Sequence, residues 1–488
     1  MAVKHLEVER KYDAEPEYAV PDLAGLPGVT GVSAPETHHL VATYFDTDDL
    51  RLAAHGITLR RRRGGADAGW HLKIPAGPDS KNELRAPLGR AQVVPARLAS
   101  LVAAYTRGKE LAPVAMLETS RTVVRLLGED GEELAEIADD AVTGRVVADD
   151  AAGQSWREIE VELAAGDAAL LKAAGKRLIK AGARKAESSS KLGRVLNGSI
   201  QRTAPAESKD TAGDAVVGYL REQVTAILKW DPKVRLAEDD AVHQMRVATR
   251  RIRSALQSYR AILDRRHTDA LRVELKWLAD ELGEVRDLEV LRMRFTERLE
   301  EIGENPSQSW LTEIGRQEAA AYRRLNVTLK QPRYFALLDS LEALVTDPPL
   351  TDRAGRKATK ELPGLVMRMW KKLARAYDEI VSSDDPEIAR HEMRKAGKRA
   401  RYAADLARPV LGKPAMETSK RAKQVQEVLG GYQDGVIAME HLKAALSRTS
   451  DTSEAFTLGV LYGVEQCEAK ATIATLAETW KNTPKPSF

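Results

Sequence analysis

The sequence predicts an α+β chain: a helix-covered antiparallel β-barrel in the first part, followed by an all-α part. Three observations predict it. Charged residues recur at every second position through the first part, with apolar residues between them. Proline and glycine punctuate that part densely, and after a polar, breaker-rich stretch the texture changes to long helical periodicity. Within the helical part a block of residues recurs, the His243 segment being echoed by the His391 segment.

The first strand is read in HLEVERKY, where Glu7, Glu9 and Lys11 alternate. Side chains two apart on a strand share a face, so two carboxylates and an ammonium point the same way. A wet face on an exposed edge accounts for such a trio; so does a buried face that holds a divalent cation and a polyanion between its charges. The pattern then recurs with complementary charge in Arg60 and Arg62, His71 and Lys73, Glu83 and Arg85, Arg121 and Arg125, Glu136 and Asp140, and Glu158, Glu160 and Glu162. The opposite faces are apolar, as in Leu59, Leu72, Val124, Ile137, Ile159 and Val161. In a sandwich the apolar faces would meet and the charged faces would be solvated, whereas in a barrel with a charged lumen helices must cover the outside. Segments 96–105 and 167–182 are the expected covers. The barrel is the better account, because arginine and lysine interleaved with glutamate suit a pore that holds phosphate and metal together.

These residues resemble the CYTH domains, the triphosphate tunnel metalloenzymes. Glu7, Glu9 and Lys11 match the ExExK signature. TYFDT at 43–47, LRRRR at 59–63, the Lys73 strand, the Arg121 and Arg125 strand, EIADD, EIEVEL and SSSKLG around Lys191 follow in the family's order. The resemblance covers about residues 1–200. It implies an eight-stranded antiparallel tunnel that binds a linear triphosphate with one or two Mg²⁺ or Mn²⁺ ions. On that reading Glu7, Glu9, Asp140, Glu158 and Glu160 hold metal, with Glu136 and Glu162 behind them. Arg60, Arg62, Lys73, Arg85, Arg121, Arg125 and Lys191 clamp the phosphates. Lys11, Glu9 and Glu160 are the expected catalytic group, and His71 packs in the lumen wall.

Composition bounds the rest. A chain of 488 residues, 43% hydrophobic and 30% charged, buries enough core for two or more domains. A net charge of +3 is small for this length, so charge is sorted locally, which argues against a general nucleic-acid coat. The single cysteine, Cys467, excludes an internal disulfide and a cysteine-based zinc site, and is expected as a small buried residue on a helix. There is no apolar run of eighteen residues, and the start is charged from Lys4; a cytoplasmic protein without membrane contact is expected.

The breaker-rich stretch, residues 199–214, reads as a linker between a first domain at 1–198 and a helical domain at 215–480. HQMRVATRRIRSAL from His243 is echoed by HEMRKAGKRARYAA from His391, and KWLADELGEVRDLEVL from Lys276 by KQVQEVLGGYQDGVIAM from Lys423. The offset indicates a duplication, with halves at about 215–345 and 355–480, and two helical bundles related by a pseudo-twofold axis are the expected outcome. On a helix, His243, Arg246, Arg250 and Arg253 form one stripe, which His391, Arg394, Lys398 and Arg401 reproduce. Like charges so spaced repel unless an anion or acidic neighbour compensates, and a solvated basic face is the plain alternative.

This half resembles the CHAD domain, an all-helical module often fused to CYTH and associated with binding inorganic polyphosphate along a basic channel. By that resemblance His243, Arg246, Arg250, Arg251, Arg253, His391, Arg394, Lys398, Arg399 and Arg401 are polyphosphate contacts, with Lys276 and Lys423 as lesser ones. The two resemblances together imply a metal-dependent inorganic triphosphatase acting on tripolyphosphate or short polyphosphate, whose helical domain binds long chains. They imply no specific nucleic-acid partner and leave association with polyphosphate granules open. The alternatives are a non-catalytic polyphosphate-binding or sensing protein, and a family member acting on nucleoside or thiamine triphosphates.

Overall fold

Charge alternation in the first part becomes ten strands: β1 (Lys4–Ala14), β2 (Gly31–Val32), β3 (Glu36–Asp46), β4 (Thr58–Arg63), β5 (Gly69–Gly77), β6 (Ser80–Ala86), β7 (Ala112–Leu127), β8 (Glu133–Val146), β9 (Gln154–Leu163) and β10 (Arg184–Lys185). This computed structural model describes residues 4–77, 79–147, 153–196, 198–200 and 210–488. Neighbours run β1-β6-β5-β4-β3-β7-β8-β9, all antiparallel, and β9 pairs back onto β1, so eight strands close into a barrel. β1 achieves closure by changing partner along its length, Lys4–Val8 lying against β6 and Glu9–Ala14 against β9. Closure gives each of these eight strands two strand neighbours, which removes the free terminal strands of an open sheet. The short β2 and β10 add to β7 and β1.

Five helices belong to this part: α1 (Arg51–Ala54), α2 (Ala96–Leu101), α3 (Ala103–Thr106), α4 (Ala168–Lys180) and α5 (Lys191–Val195). The expected covers are α2, α3 and α4. Asp167 caps α4 by accepting from the Ala169 and Leu170 amides. Leu170, Leu171, Ala174 and Leu178 of α4 then pack on Tyr12, Leu126, Ile137, Ile159 and Val161, the apolar outer face of the strands. Gly175 permits the close approach, since a Cβ there would meet the Tyr12 hydroxyl at 2.0 Å.

Helix α5 does something else. The alternation that turns Asp140 and Tyr44 inward also turns Ala42, Leu117, Val142 and Gly144 inward near one end of the barrel. Leu192, Val195 and Leu196 pack on Ala42, Tyr44, Leu117 and Val142 there. Gly144 leaves the room, because a Cβ would lie 2.5 Å from Val195 Cγ2. The barrel is therefore stoppered at this end by α5, whose first residue, Lys191, is buried at the lumen floor.

The second part is helical: α6 (Ala212–Arg235), α7 (Ala241–Ser258), α8 (Arg265–Glu301), α9 (Ser309–Thr328), α10 (Pro332–Thr346), α11 (Ala358–Ser382), α12 (Pro386–Leu411), α13 (Lys413–Leu446), α14 (Thr452–Ala474) and α15 (Leu476–Lys481). By contacts the chain divides into units 1–203 and 204–488. Of the linker, residues 201–209 lie outside the described residues. Ala212–Asp214 already belong to α6, because Thr211 and Asp214 form a reciprocal capping box. Helices α6–α10 and α11–α15 run in corresponding order, the two basic segments falling on α7 and α12 and the echoed segments from Lys276 and Lys423, which share LG-x-x-x-D at 282–287 and 429–434, on α8 and α13. The Tyr259 hydroxyl, buried after α7, donates to the Ala403 carbonyl of α12 at 2.6 Å, tying the halves together. Cys467 corrects the expectation of burial: it lies exposed on α14. Among the described residues no helix is long and apolar enough to cross a membrane.

Candidate tunnel site and basic groove

The barrel lumen holds a cavity of about 380 Å³. Its open mouth is lined by His5, His38, Arg85, Arg125 and Glu133 together with Asp67 of the β4–β5 turn. Deeper in, strands β1 and β9 present Glu7, Glu9, Lys11, Glu160 and Glu162, while β4, β5, β6 and β7 present Arg60, Arg62, Lys73, Lys81, Glu83 and Arg121. Carboxylates thus concentrate on two adjacent strands, and most of the cations face them.

The charges are tightly interlocked. Lys191 Nζ lies 2.8 Å from Asp140 Oδ2, 2.7 Å from Glu158 Oε1 and 2.7 Å from Glu160 Oε1. Arg121 grips Asp140 through Nε and Nη2 at 2.8 and 2.6 Å, and its Nη2 donates to Glu160 Oε2 at 2.5 Å. Lys11 Nζ lies 2.9 Å from Glu9 Oε2 and also contacts Glu160. Lys81 holds the other Glu9 oxygen at 2.9 Å, and Lys73 lies 2.8 Å from Glu7 Oε2. Asp140, Glu158 and Glu160 form a buried acidic group whose oxygens lie within 4.8 Å of one another. In this arrangement the Lys191 ammonium touches all three, and Trp156 Nε1 donates to Glu158 at 2.7 Å. Asp140 and Glu158 are thereby covered, whereas Glu7, Glu9 and Glu160 border the cavity.

Burial raises the carboxyl pKa values, and the neighbouring charges decide whether that rise survives. At Glu9 and Glu160 the cations win: Lys11 above all, with Lys191 and Arg121 at Glu160, holds both well below the usual range. Burial likewise works against the Lys11 ammonium, yet Glu160, Glu9 and Glu158 carry it well above the ordinary lysine value. Glu162 is the exception. Burial and the nearby Glu7, Glu9 and Glu160 push its carboxyl up to about 7. Lysines meet Glu7 and Glu9, while burial and its acidic neighbours dominate at Glu162, and the all-carboxylate donor set of the three fits a hard divalent cation.

On the cationic side, burial together with Arg60 and Arg121 lowers the Arg62 pKa to about 9. His71 is buried, with Nδ1 2.8 Å from Glu83 Oε1 and Nε2 2.9 Å from the Asp67 carbonyl. Arg85 also contacts Glu83. Arg125 stays near the mouth, 2.8 Å from Glu36 and 3.4 Å from Glu133.

In the helical part, α7, α8 and α12 line a groove of about 710 Å³ with Arg250, Arg253, Lys276, His391, Arg394 and Lys398, and Arg399 at its side. Burial among Arg250, Arg394 and Arg246 drives the Lys398 pKa down to about 6. Arg246 lies 3.9 Å from Asp287 and Arg394 4.0 Å from Asp434, the same pair in each half. His243 is half-buried beside Arg286 and Arg246, which with burial lower its pKa. Arg251 and Arg401 turn aside to the Tyr402 ring, at 6.0 and 5.8 Å. Lys423 is paired with Glu427 at 3.1 Å on its own helix, as Lys276 is with Asp280 at 2.6 Å.

Sequence reasoning passed over Lys81, Asp67, Tyr44, Asp287 and Asp434. Lys81 had a signal, since Lys81, Glu83 and Arg85 alternate on β6. The two aspartates had one too, being the last residues of the repeated LG-x-x-x-D segments. Asp67 had none, because it lies in a turn.

Comparison with known proteins agrees with both halves. The CYTH domain model matches residues 5–194 and the CHAD domain model residues 218–443. Uncharacterized proteins of two Mycobacterium tuberculosis strains are 38% identical over 484 residues, covering 95% of this chain and 93% of theirs. Among solved structures, a CHAD domain from the plant Ricinus communis matches at 25% identity and TM-score 0.48, over 58% of this chain and 97% of that one. PptA from Streptomyces chartreusis matches at 22% and 0.45, over 56% and 99%. The chain belongs to the family that joins a CYTH domain, a triphosphate tunnel, to a CHAD domain.

Proposed function

We propose that the tunnel hydrolyses inorganic triphosphate or short polyphosphate with a divalent cation, releasing orthophosphate, and that the helical domain binds long polyphosphate chains. One observation carries the reading: a single lumen sets carboxylates of β1 and β9 against a wall of arginines and lysines. Phosphoanhydride cleavage needs charge neutralised on the non-bridging oxygens and a positioned water. Arg60, Arg62, Lys73, Lys81 and Arg121 supply donors along the path of a linear polyanion, and bidentate guanidinium contacts suit phosphate oxygens. Glu7, Glu9, Glu160 and Glu162 would hold Mg²⁺ or Mn²⁺, which when bound lowers the pKa of a water and neutralises phosphate charge. Asp140 and Glu158 hold Lys191 at the floor, and Lys11 stands between Glu9 and Glu160, within reach of the same polyanion.

An inorganic substrate is favoured because the rings among the described lining residues are those of His5, His38 and Tyr44, and Tyr44 is tied to Arg60 at 3.4 Å. A nucleobase would meet charged walls rather than a stacking surface. In the helical groove, converging cations with few acidic partners suit a long polyanion. Orthophosphate release from tripolyphosphate, with and without Mg²⁺ or Mn²⁺, tests the reading, and metal-independent or absent release would refute it.

A further inference from the structure

We propose that Asp67 is a displaceable counter-ion that occupies the subsite of the phosphate nearest the tunnel mouth, and that Arg62 and Arg85 form that subsite. The inference rests on the triphosphate reading of the tunnel and assigns a place within it. Arg62 is buried in the lumen beside Arg60 and Arg121, so its guanidinium needs an anion. Among the described residues the anion that meets it is the Asp67 carboxylate. Arg85 Nη2 reaches the other Asp67 oxygen at 3.9 Å, while Arg85 Nε rests on Glu83. A carboxylate between two guanidiniums is the environment that a phosphate group seeks.

What sets Asp67 apart is where it comes from. The carboxylates paired with Arg121, Lys11, Lys73 and Lys81 stand on barrel strands with side chains at most 11% exposed, so they have no solvent to turn into. Asp67 stands on the turn between β4 and β5, and its side chain is a third exposed. Gly64 and Gly65 bend that turn inward with φ of +82° and +72°. A Cβ at Gly64 would lie 2.0 Å from the His39 carbonyl oxygen, so the bend requires glycine. A single backbone contact, His71 Nε2 to the Asp67 carbonyl at 2.9 Å, steadies the turn from the lumen side. Rotating the Asp67 side chain toward solvent frees the Arg62 guanidinium and the Nη2 of Arg85, whose Nε stays on Glu83, without disturbing a strand. A polyanion anchored deeper by Arg60, Lys73 and Arg121 can meet that cost, because its end phosphate is delivered at high effective concentration. Free orthophosphate has no such tether.

The sign of the effect makes this testable. Removing a carboxylate from a structural ion pair weakens a site, whereas removing a resident competitor strengthens it. Titration calorimetry of tripolyphosphate into the full chain should show Asp67→Asn and Asp67→Ala binding about threefold to tenfold tighter than wild type, a shift on the scale of one exposed-to-part-buried ion pair. Orthophosphate, weak on wild type, should bind both variants measurably. In an Arg62→Gln background the Asp67→Asn change should gain less than twofold, because the competitor then has only the more distant Arg85 to block. Wild-type binding with equal or weaker binding by both variants would overturn the assignment and leave the triphosphate reading standing. No tripolyphosphate binding by wild type would overturn both.

Discussion

Lys191 Nζ sits 2.7 Å from Glu160 Oε1, at the point where the stopper helix meets β9. Arg121 takes the other Glu160 oxygen at 2.5 Å and Lys11 adds a third cation, so one carboxylate is the hub of three positive charges from three different elements. Removing one member of a buried pair leaves the rest uncompensated and costs about 3 kcal/mol. Glu160→Gln should therefore lower barrel stability by about that amount and abolish metal-dependent phosphate release. Denaturant unfolding and phosphate release on the same sample check it. Because a bound polyanion can replace the lost negative charge, tripolyphosphate should restore part of the stability.

Glu162 gives a pH dependence with a definite sign. Its folded-state pKa is pushed up from 4.5 to about 7, so the folded protein keeps a proton that the unfolded chain has released. The resulting stability is complete below about pH 4.5 and is lost as pH rises through about 7. Between pH 5 and 8, without divalent cations, wild type should lose roughly 2 kcal/mol relative to Glu162→Gln. Parallel pH profiles for the two proteins would contradict the placement of Glu162 against Glu7 and Glu9.

Lys398 should behave in the opposite way. Burial with Arg250, Arg394 and Arg246 lowers its pKa from 10.5 to about 6, with Asp434 the opposing charge, so at pH 8 the side chain is largely the neutral amine in the free protein. A polyanion in the groove restores the charged form. Binding of long polyphosphate at pH 8 should take up close to one proton, read from calorimetry in buffers of different ionisation enthalpy. Lys398→Arg should bind without that uptake, since guanidinium stays charged throughout this range.

The repeated pairs, Arg246 with Asp287 and Arg394 with Asp434, predict a coupled response. Arg246→Glu and Arg394→Glu should each weaken long-chain binding at least tenfold, and the double change should cost less than the sum because one polymer spans both. Salt should weaken wild-type binding steeply, as release of counterions requires. Filter binding across a salt series measures both effects. Tripolyphosphate hydrolysis should be almost untouched by either variant.

Much of this was legible in the sequence, and the boundary is physical. Alternation at Glu7, Glu9 and Lys11 or Glu158, Glu160 and Glu162 encodes which face a residue takes, so the charged lumen and covered exterior could be read residue by residue. Which charge meets which across the barrel depends on closure. Glu162 reads like a more distant carboxylate in the linear order, yet pairing of β1 with β9 sets it opposite Glu9. Lys191 reads as one more phosphate clamp, yet it enters from a helix and is held by three carboxylates. Helical spacing put Arg401 on the basic stripe and the resemblance added Arg251, but the aromatic face of Tyr402 draws both aside. Turn residues carry no periodicity at all, which hid Asp67.

The most direct measurement is orthophosphate release by the full chain from tripolyphosphate, ATP and thiamine triphosphate side by side, with Mg²⁺, with Mn²⁺ and with chelator. The account predicts release from tripolyphosphate that needs the cation and exceeds the other two substrates in kcat/KM by at least tenfold. Preference for ATP or thiamine triphosphate, or equal release in chelator, would contradict it.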